Sequence, residues 1–112
     1  MTDPGGIMAR LAAIESDLAQ RQNEFADAAG KRARLVREVE YAEAVAYQRA
    51  KASGAGPTDA KQAAKAAVGD SQEYRDLTAA EATYDAGKAA VNVLSTRATI
   101  GQTLLRTLRE AA

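Results

Sequence analysis

The side chains best placed for chemistry are carboxylates: Glu38, Glu40 and Glu43 in one short run, and Asp70 with Glu73 further on. Carboxylates at such spacings serve general acid–base catalysis or metal binding when a second residue type completes them. None does so here. The chain has no histidine and no cysteine. This removes the Glu-x-x-His pattern of helix-bundle metal sites, thiolate catalysis and disulfides. Ser53, Ser71 and Ser95 have no base to activate them. Gly54-Ala55-Gly56-Pro57 lacks the lysine and hydroxyl residue that end a phosphate-cradling loop, and no strand precedes it. Asp70 and Glu73 suit a capping box. The pattern points to a non-enzymatic protein without catalytic residues, metal or cofactor.

Cations are the other candidates. Lys31-Arg32-Ala33-Arg34-Leu35-Val36-Arg37 places four cations in seven residues, and Arg49 and Lys51 come just before a turn. On a helix the four spread around most of the circumference. Two readings stand: neutralisation by Glu38, Glu40 and Glu43 as intrahelical pairs, or contact with phosphates. Tyr41 and Tyr47 are the nearby aromatics, either stacking platforms or seam residues, the seam being preferred. Beyond Asp85 no acid occurs until Glu110, while Lys88, Arg97, Arg106 and Arg109 intervene. The helix macrodipole accounts for Arg106 and Arg109. Lys88 and Arg97 lie too far from the end for that and leave room for an anionic partner. The candidate nucleic-acid contacts are thus Lys31, Arg32, Arg34, Arg37, Arg49, Lys51, Lys88 and Arg97.

The elements that must position these groups are helices. From Leu77, steps of three and four give Leu77, Ala80, Tyr84, Gly87, Val91, Leu94, Ala98, Gly101, Leu105 and Leu108, a heptad path of coiled-coil type. One alternating series on it reads Ala80, Gly87, Leu94, Gly101, Leu108. Another helix can approach closely there. Two helical glycines cost about 1 kcal/mol each relative to alanine; they are either tolerated or repaid by backbone-to-backbone packing. These ten positions are the candidate interface between subunits.

A second heptad path begins at Ile7 and runs through Leu11, Ile14, Leu18, Arg21, Phe25, Ala28, Arg32, Leu35, Val39, Ala42, Ala46 and Arg49. Arg21 and Arg32 on that seam require partner carboxylates, or else the register shifts near Gly30. One long helix, bent or straight at Gly30, is preferred to a turn. A tail at residues 1–6 precedes it, with Asp3 able to cap and Pro4 suited to a first turn. Ser53-Gly54-Ala55-Gly56-Pro57 is the strongest breaker, and Thr58 or Asp59 can cap the short helix after it. The expected domain is 7–112, with helices at about 7–52, 59–68 and 71–111, the last opened by Asp70 reaching its first turn and Glu73 reaching back. The fold class is all-α, an elongated helical hairpin with a short middle helix, associating as a coiled-coil-like oligomer.

Composition agrees. Of 112 residues 46% are apolar but 4% aromatic, and 28 are alanine. At about 25 cal/mol per Å² of apolar surface, alanine contributes little to a core, so self-association is expected to complete it. Fifteen basic and fifteen acidic residues leave no net charge, so any nucleic-acid binding rests on local clustering. No apolar run reaches membrane-spanning length, and the acidic Met1-Thr2-Asp3-Pro4 start is unlike a secretory leader. A soluble cytoplasmic protein with no membrane partner is expected.

Tyr47 to Gly54 (YQRAKASG), Lys65 to Asp70 (KAAVGD) and Tyr84 to Leu108, above all Val91 to Leu104 (VNVLSTRATIGQTL), carry a resemblance. Together with the helix–turn–short helix–helix order, they resemble the UvsY-type recombination mediators of tailed bacteriophages, over roughly the last two thirds of the chain. The resemblance implies a ring-like homo-oligomer joined through its C-terminal helix that binds single-stranded DNA. It also implies help in loading a strand-exchange recombinase against single-strand-binding protein, in the bacterial host cytoplasm if the chain is phage-encoded. The family's basic Lys-Ala-Arg pattern before the turn is displaced: Ala46 and Gln48 stand where cations are due, Arg49 and Lys51 lie beside them, and Lys31-Arg32-Ala33-Arg34-Leu35 matches in letters well upstream. The alternative is a helical protein-interaction module with no nucleic-acid role, such as an assembly factor or an inhibitor. Secreted hairpins with a Trp-x-Gly turn are disfavoured, since the chain has no tryptophan.

Overall fold

The computed structural model describes residues 4–111, which form three α-helices and, among the described residues, no strand. The helices are α1 (Pro4–Ala52), α2 (Pro57–Gly69) and α3 (Gln72–Ala111). Proline opens α1, where its missing N–H costs nothing. Pro4, Gly5 and Gly6, expected in the tail, are therefore helical; the proposed Asp3 cap lies outside the described residues. Gly30 is exposed within α1, which runs through it without interruption.

α1 ends in a left-handed glycine. Gly54 has φ +97°. Its N–H donates to the Lys51 carbonyl at 3.0 Å, and the Ala55 N–H donates to the Ala50 carbonyl at 3.1 Å. This pair of bonds is the Schellman arrangement that satisfies the last carbonyls of a helix. α2 then starts on Gly56 and Pro57 with no side-chain cap. Thr58 and Asp59 are inside the first turn instead of capping it, because proline already occupies the first helical position. The start of α3 is also displaced by one residue. Ser71, in place of Asp70, is the cap: its Oγ accepts from the Tyr74 N–H at 3.2 Å and donates to the Val68 carbonyl at 2.6 Å. One hydroxyl thus closes α2 and opens α3, while Glu73 keeps a favourable place in the first turn.

Packing divides the chain into two compact units, one of residues up to Asp27 with Asp85 onward, the other Ala28–Tyr84. In the first, α1 meets α3 antiparallel. A Cβ placed on Gly101 would lie 3.0 Å from Leu11 Cδ1, and one on Gly87 would lie 3.3 Å from Phe25 Cδ2. The partners advance fourteen residues along α1 from Leu11 to Phe25 and retreat fourteen along α3 from Gly101 to Gly87, two heptads each. Ile7, Leu94, Ala98 and Leu105 are buried there. In the second unit Leu35 packs with Leu77 and Ala80, flanked by Val36 and Val39. α2 buries Ala60, Ala64 and Val68, one side chain per turn.

The periodic positions on α3 are therefore inward. Leu77, Ala80, Leu94, Ala98 and Leu105 are buried, and Tyr84, Gly87, Val91, Gly101 and Leu108 are half-buried. What they meet corrects the expectation of an interface between subunits, for this seam packs on α1 of its own chain. Gly101 accommodates the Leu11 side chain, whereas Gly87 takes both the Phe25 ring and a close approach of the α1 backbone, the Phe25 Cα lying 3.8 Å from where a Cβ would stand. Along α1, Arg21 is exposed between Asp17 (3.9 Å) and Glu24 (3.2 Å), so it leaves the seam instead of needing a partner within it. Arg32 is half-buried with its guanidinium 5.0 Å from the centre of the Tyr84 ring. An aromatic face takes the place of the expected carboxylate.

Candidate nucleic-acid interface

In the unit Ala28–Tyr84, the C-terminal half of α1 and the α2–α3 junction enclose a groove of about 600 Å³. Arg34, Arg37 and Arg49 line it from α1, together with Tyr41. Helical spacing brings them together: Arg34, Tyr41 and Val45 succeed one another at seven and four residues, and Arg37 precedes Tyr41 by four. Val45 supplies apolar surface, and Val68 and Ser71 close the far wall. Tyr41 is 73% exposed. Its ring is thus available to a flat partner, with cations around it.

Two carboxylates temper the positive charge. Glu38 and Glu73 line the same groove. Arg34 lies 3.8 Å from Glu38 across one turn, with side chains 62% and 50% exposed, a geometry worth about 0.3–0.5 kcal/mol in solvent. That pair is easily exchanged for a phosphate. Glu40 and Glu43 form no ion pair among the described residues, so the intrahelical neutralisation expected from the three glutamates reduces to one contact.

Within the unit Ala28–Tyr84 the six candidate cations do not share one surface. Arg34, Arg37 and Arg49 converge on the groove. Lys31 is exposed, and Lys51 sits 5.7 Å over the ring of Tyr47, so that tyrosine is engaged along α1. Arg32 is withdrawn into the packing against Tyr84. Lys88 and Arg97 are exposed on α3 in the other unit, Arg97 beside Ile100 and Leu104. Tyr41 is the residue that the preference for a seam role misplaced. The seam passes through Val39, Ala42 and Ala46, and position 41 falls between its members. An aromatic off the apolar path and near two arginines on the same helix was the signal.

The arrangement offers charge and stacking and, among the described residues, no group of three metal-ligating side chains. Three arginines can meet successive phosphates, and an exposed tyrosine can stack on any base, since every base has a π-face. No protein-family model, curated protein or solved structure matches the chain.

Proposed function

We propose that this protein is a non-enzymatic, single-stranded DNA-binding mediator that acts as a homo-multimer and assists a strand-exchange recombinase in displacing single-strand-binding protein. The observation that carries the DNA reading is the exposed Tyr41 ring set among Arg34, Arg37 and Arg49 in one groove. Unstacked bases favour such a site over duplex, whose bases are hidden from a tyrosine face. The recombinase and single-strand-binding protein enter through the resemblance carried by Tyr47–Gly54, Lys65–Asp70 and Tyr84–Leu108. Self-association is supported by the small core: ten apolar residues are buried among those described, four of them alanine. A multimer repeats a weak groove and multiplies its phosphate contacts.

Anisotropy of a labelled oligo(dT) over a salt series tests the reading. Binding at about 50 mM salt should weaken steeply as salt rises, and glutamate at positions 34, 37 and 49 should flatten that slope. Tyr41→Ala should cost about 1–3 kcal/mol of binding at fixed salt without changing the slope. No binding by the intact protein at low salt would remove the DNA role. The second reading, a protein-interaction module, is favoured by Met8, Val93, Ile100 and Leu104, large apolar side chains left exposed in the unit that lacks the groove.

A further inference from the structure

Within the unit of residues up to Asp27 and from Asp85 onward, a second groove of about 360 Å³ runs between α1 and α3. Ile7, Leu11 and Ile14 form one wall and Ile100 and Leu104 the other, with Gly101 between them. Because Leu11 fills the space a side chain at position 101 would need, the two helices lie close there. The groove lies between the two helices as a trough about two turns long, residues 7–14 facing 97–104, and no aromatic side chain lines it. Ile100 is 55% and Leu104 49% exposed, so the walls stand in water. Apolar side chains at i, i+4 and i+7 on one wall and at i and i+4 on the other match the ridge of a third helix.

Arg10 and Arg97 line the same trough. Both are exposed, and neither forms an ion pair among the described residues. Three carboxylates of this unit are engaged elsewhere: Glu15 accepts from the Gln102 amide at 3.3 Å, and Asp17 and Glu24 hold Arg21. Between Asp85 and Glu110, α3 carries no acid but three arginines and a lysine. The trough is therefore apolar within and cationic at its edges, and no carboxylate lines it.

We propose that this trough docks an acidic amphipathic helix of a partner protein, its leucine-type ridge seated on Ile14, Ile100 and Leu104 and its flanking carboxylates paired with Arg10 and Arg97. A nucleic acid lacks the apolar ridge and would find no stacking surface here. A flat bilayer would cover Ile100 and Leu104 but supplies no ridge to fit between the two helices. The trough and the Tyr41 groove belong to different units of the chain.

The test uses the full chain and a labelled helical peptide of about 14 residues, with leucines at i, i+3, i+4 and i+7 and glutamates on both flanks. A control peptide carries lysine at each glutamate. The intact protein should bind the acidic peptide saturably and the basic one at least about tenfold more weakly. Arg10→Glu with Arg97→Glu, two exposed positions whose helicity is checked by circular dichroism, should invert that preference. Leu104→Gln should weaken binding of the acidic peptide while leaving both arginines in place. Equal binding of the two peptides, no saturable binding, or an unchanged preference in the reversed variant would overturn the proposal. Capture by phosphatidylserine-containing vesicles that excludes the peptide and is lost in Leu104→Gln would overturn it in favour of a membrane surface.

Discussion

Two kinds of glycine sit in the long helices, and their surroundings give opposite predictions. Gly30 is exposed, and an added Cβ would meet nothing within 4 Å. Gly30→Ala should therefore stabilise the fold by about 0.5–1 kcal/mol, through the backbone freedom removed from the unfolded chain. A denaturant melt reads this directly, and a loss of stability would mean that α1 is not a regular helix at that point. Gly87 is the reverse, since its first added carbon already lies 3.3 Å from the Phe25 ring. Gly87→Leu should cost at least about 1–3 kcal/mol by overpacking, seen as a lower melting temperature of the chain itself. The heptad path marked these glycines as a contact face but did not identify the helix across from them. Spacing reports that a residue is covered; it carries no label for whether the cover comes from the same chain.

Helices are where the sequence was most legible. Long runs at 3.5-residue spacing and a turn with two glycines and a proline leave few alternatives, so the order long, short, long and the absence of strands from the described residues can be read from pattern alone. Their ends were less legible, because capping is decided by a single torsion and not by composition. Asp70 and Ser71 are adjacent candidates for one cap, and Ser71 takes it. Ser71→Ala removes both the bond from Tyr74 and the one to Val68. It should cost about 1 kcal/mol, within the usual range for a lost cap, with Ser71→Asp restoring part of it through the Tyr74 bond. Equal unfolding midpoints for wild type and Ser71→Ala would show that the junction is held by other contacts. The groove beside this junction was legible only in part. Arg34, Arg37 and Arg49 were visible as cations, and helical spacing aligns them, but the wall that Val68 and Ser71 set opposite depends on how α2 turns the chain back toward α1.

For the molecule as a whole, the decisive fact is how little is enclosed. Ten apolar residues are buried among those described, four of them alanine, and no large side chain is fully buried. Burying a leucine completely contributes about 1.5–3 kcal/mol, and here even Leu35, Leu94 and Leu105 retain some exposure. The expected outcome is concentration-dependent folding. Sedimentation equilibrium should give a mass above that of one 11.8 kDa chain, and the melting temperature should rise with protein concentration. A single-chain mass with an unchanging melting temperature would mean that the hairpin suffices alone. In a multimer, contacts between copies must use surfaces other than the Leu77–Leu108 seam, whose buried positions pack within the chain.

The pairing of Leu11 with Gly101 and of Phe25 with Gly87 has one more consequence. A repeating heptad is degenerate, since two such helices can slide by seven residues and still match apolar to apolar. Here sliding one way sets Leu11 against Leu108 and Phe25 against Leu94, bulk on bulk; sliding the other way sets Leu11 against Leu94 and leaves Phe25 facing Ala80. Sliding either way brings Leu18 to one glycine but leaves Arg32 or Pro4 opposite the other, so only the observed alignment seats a large apolar side chain in both glycine notches.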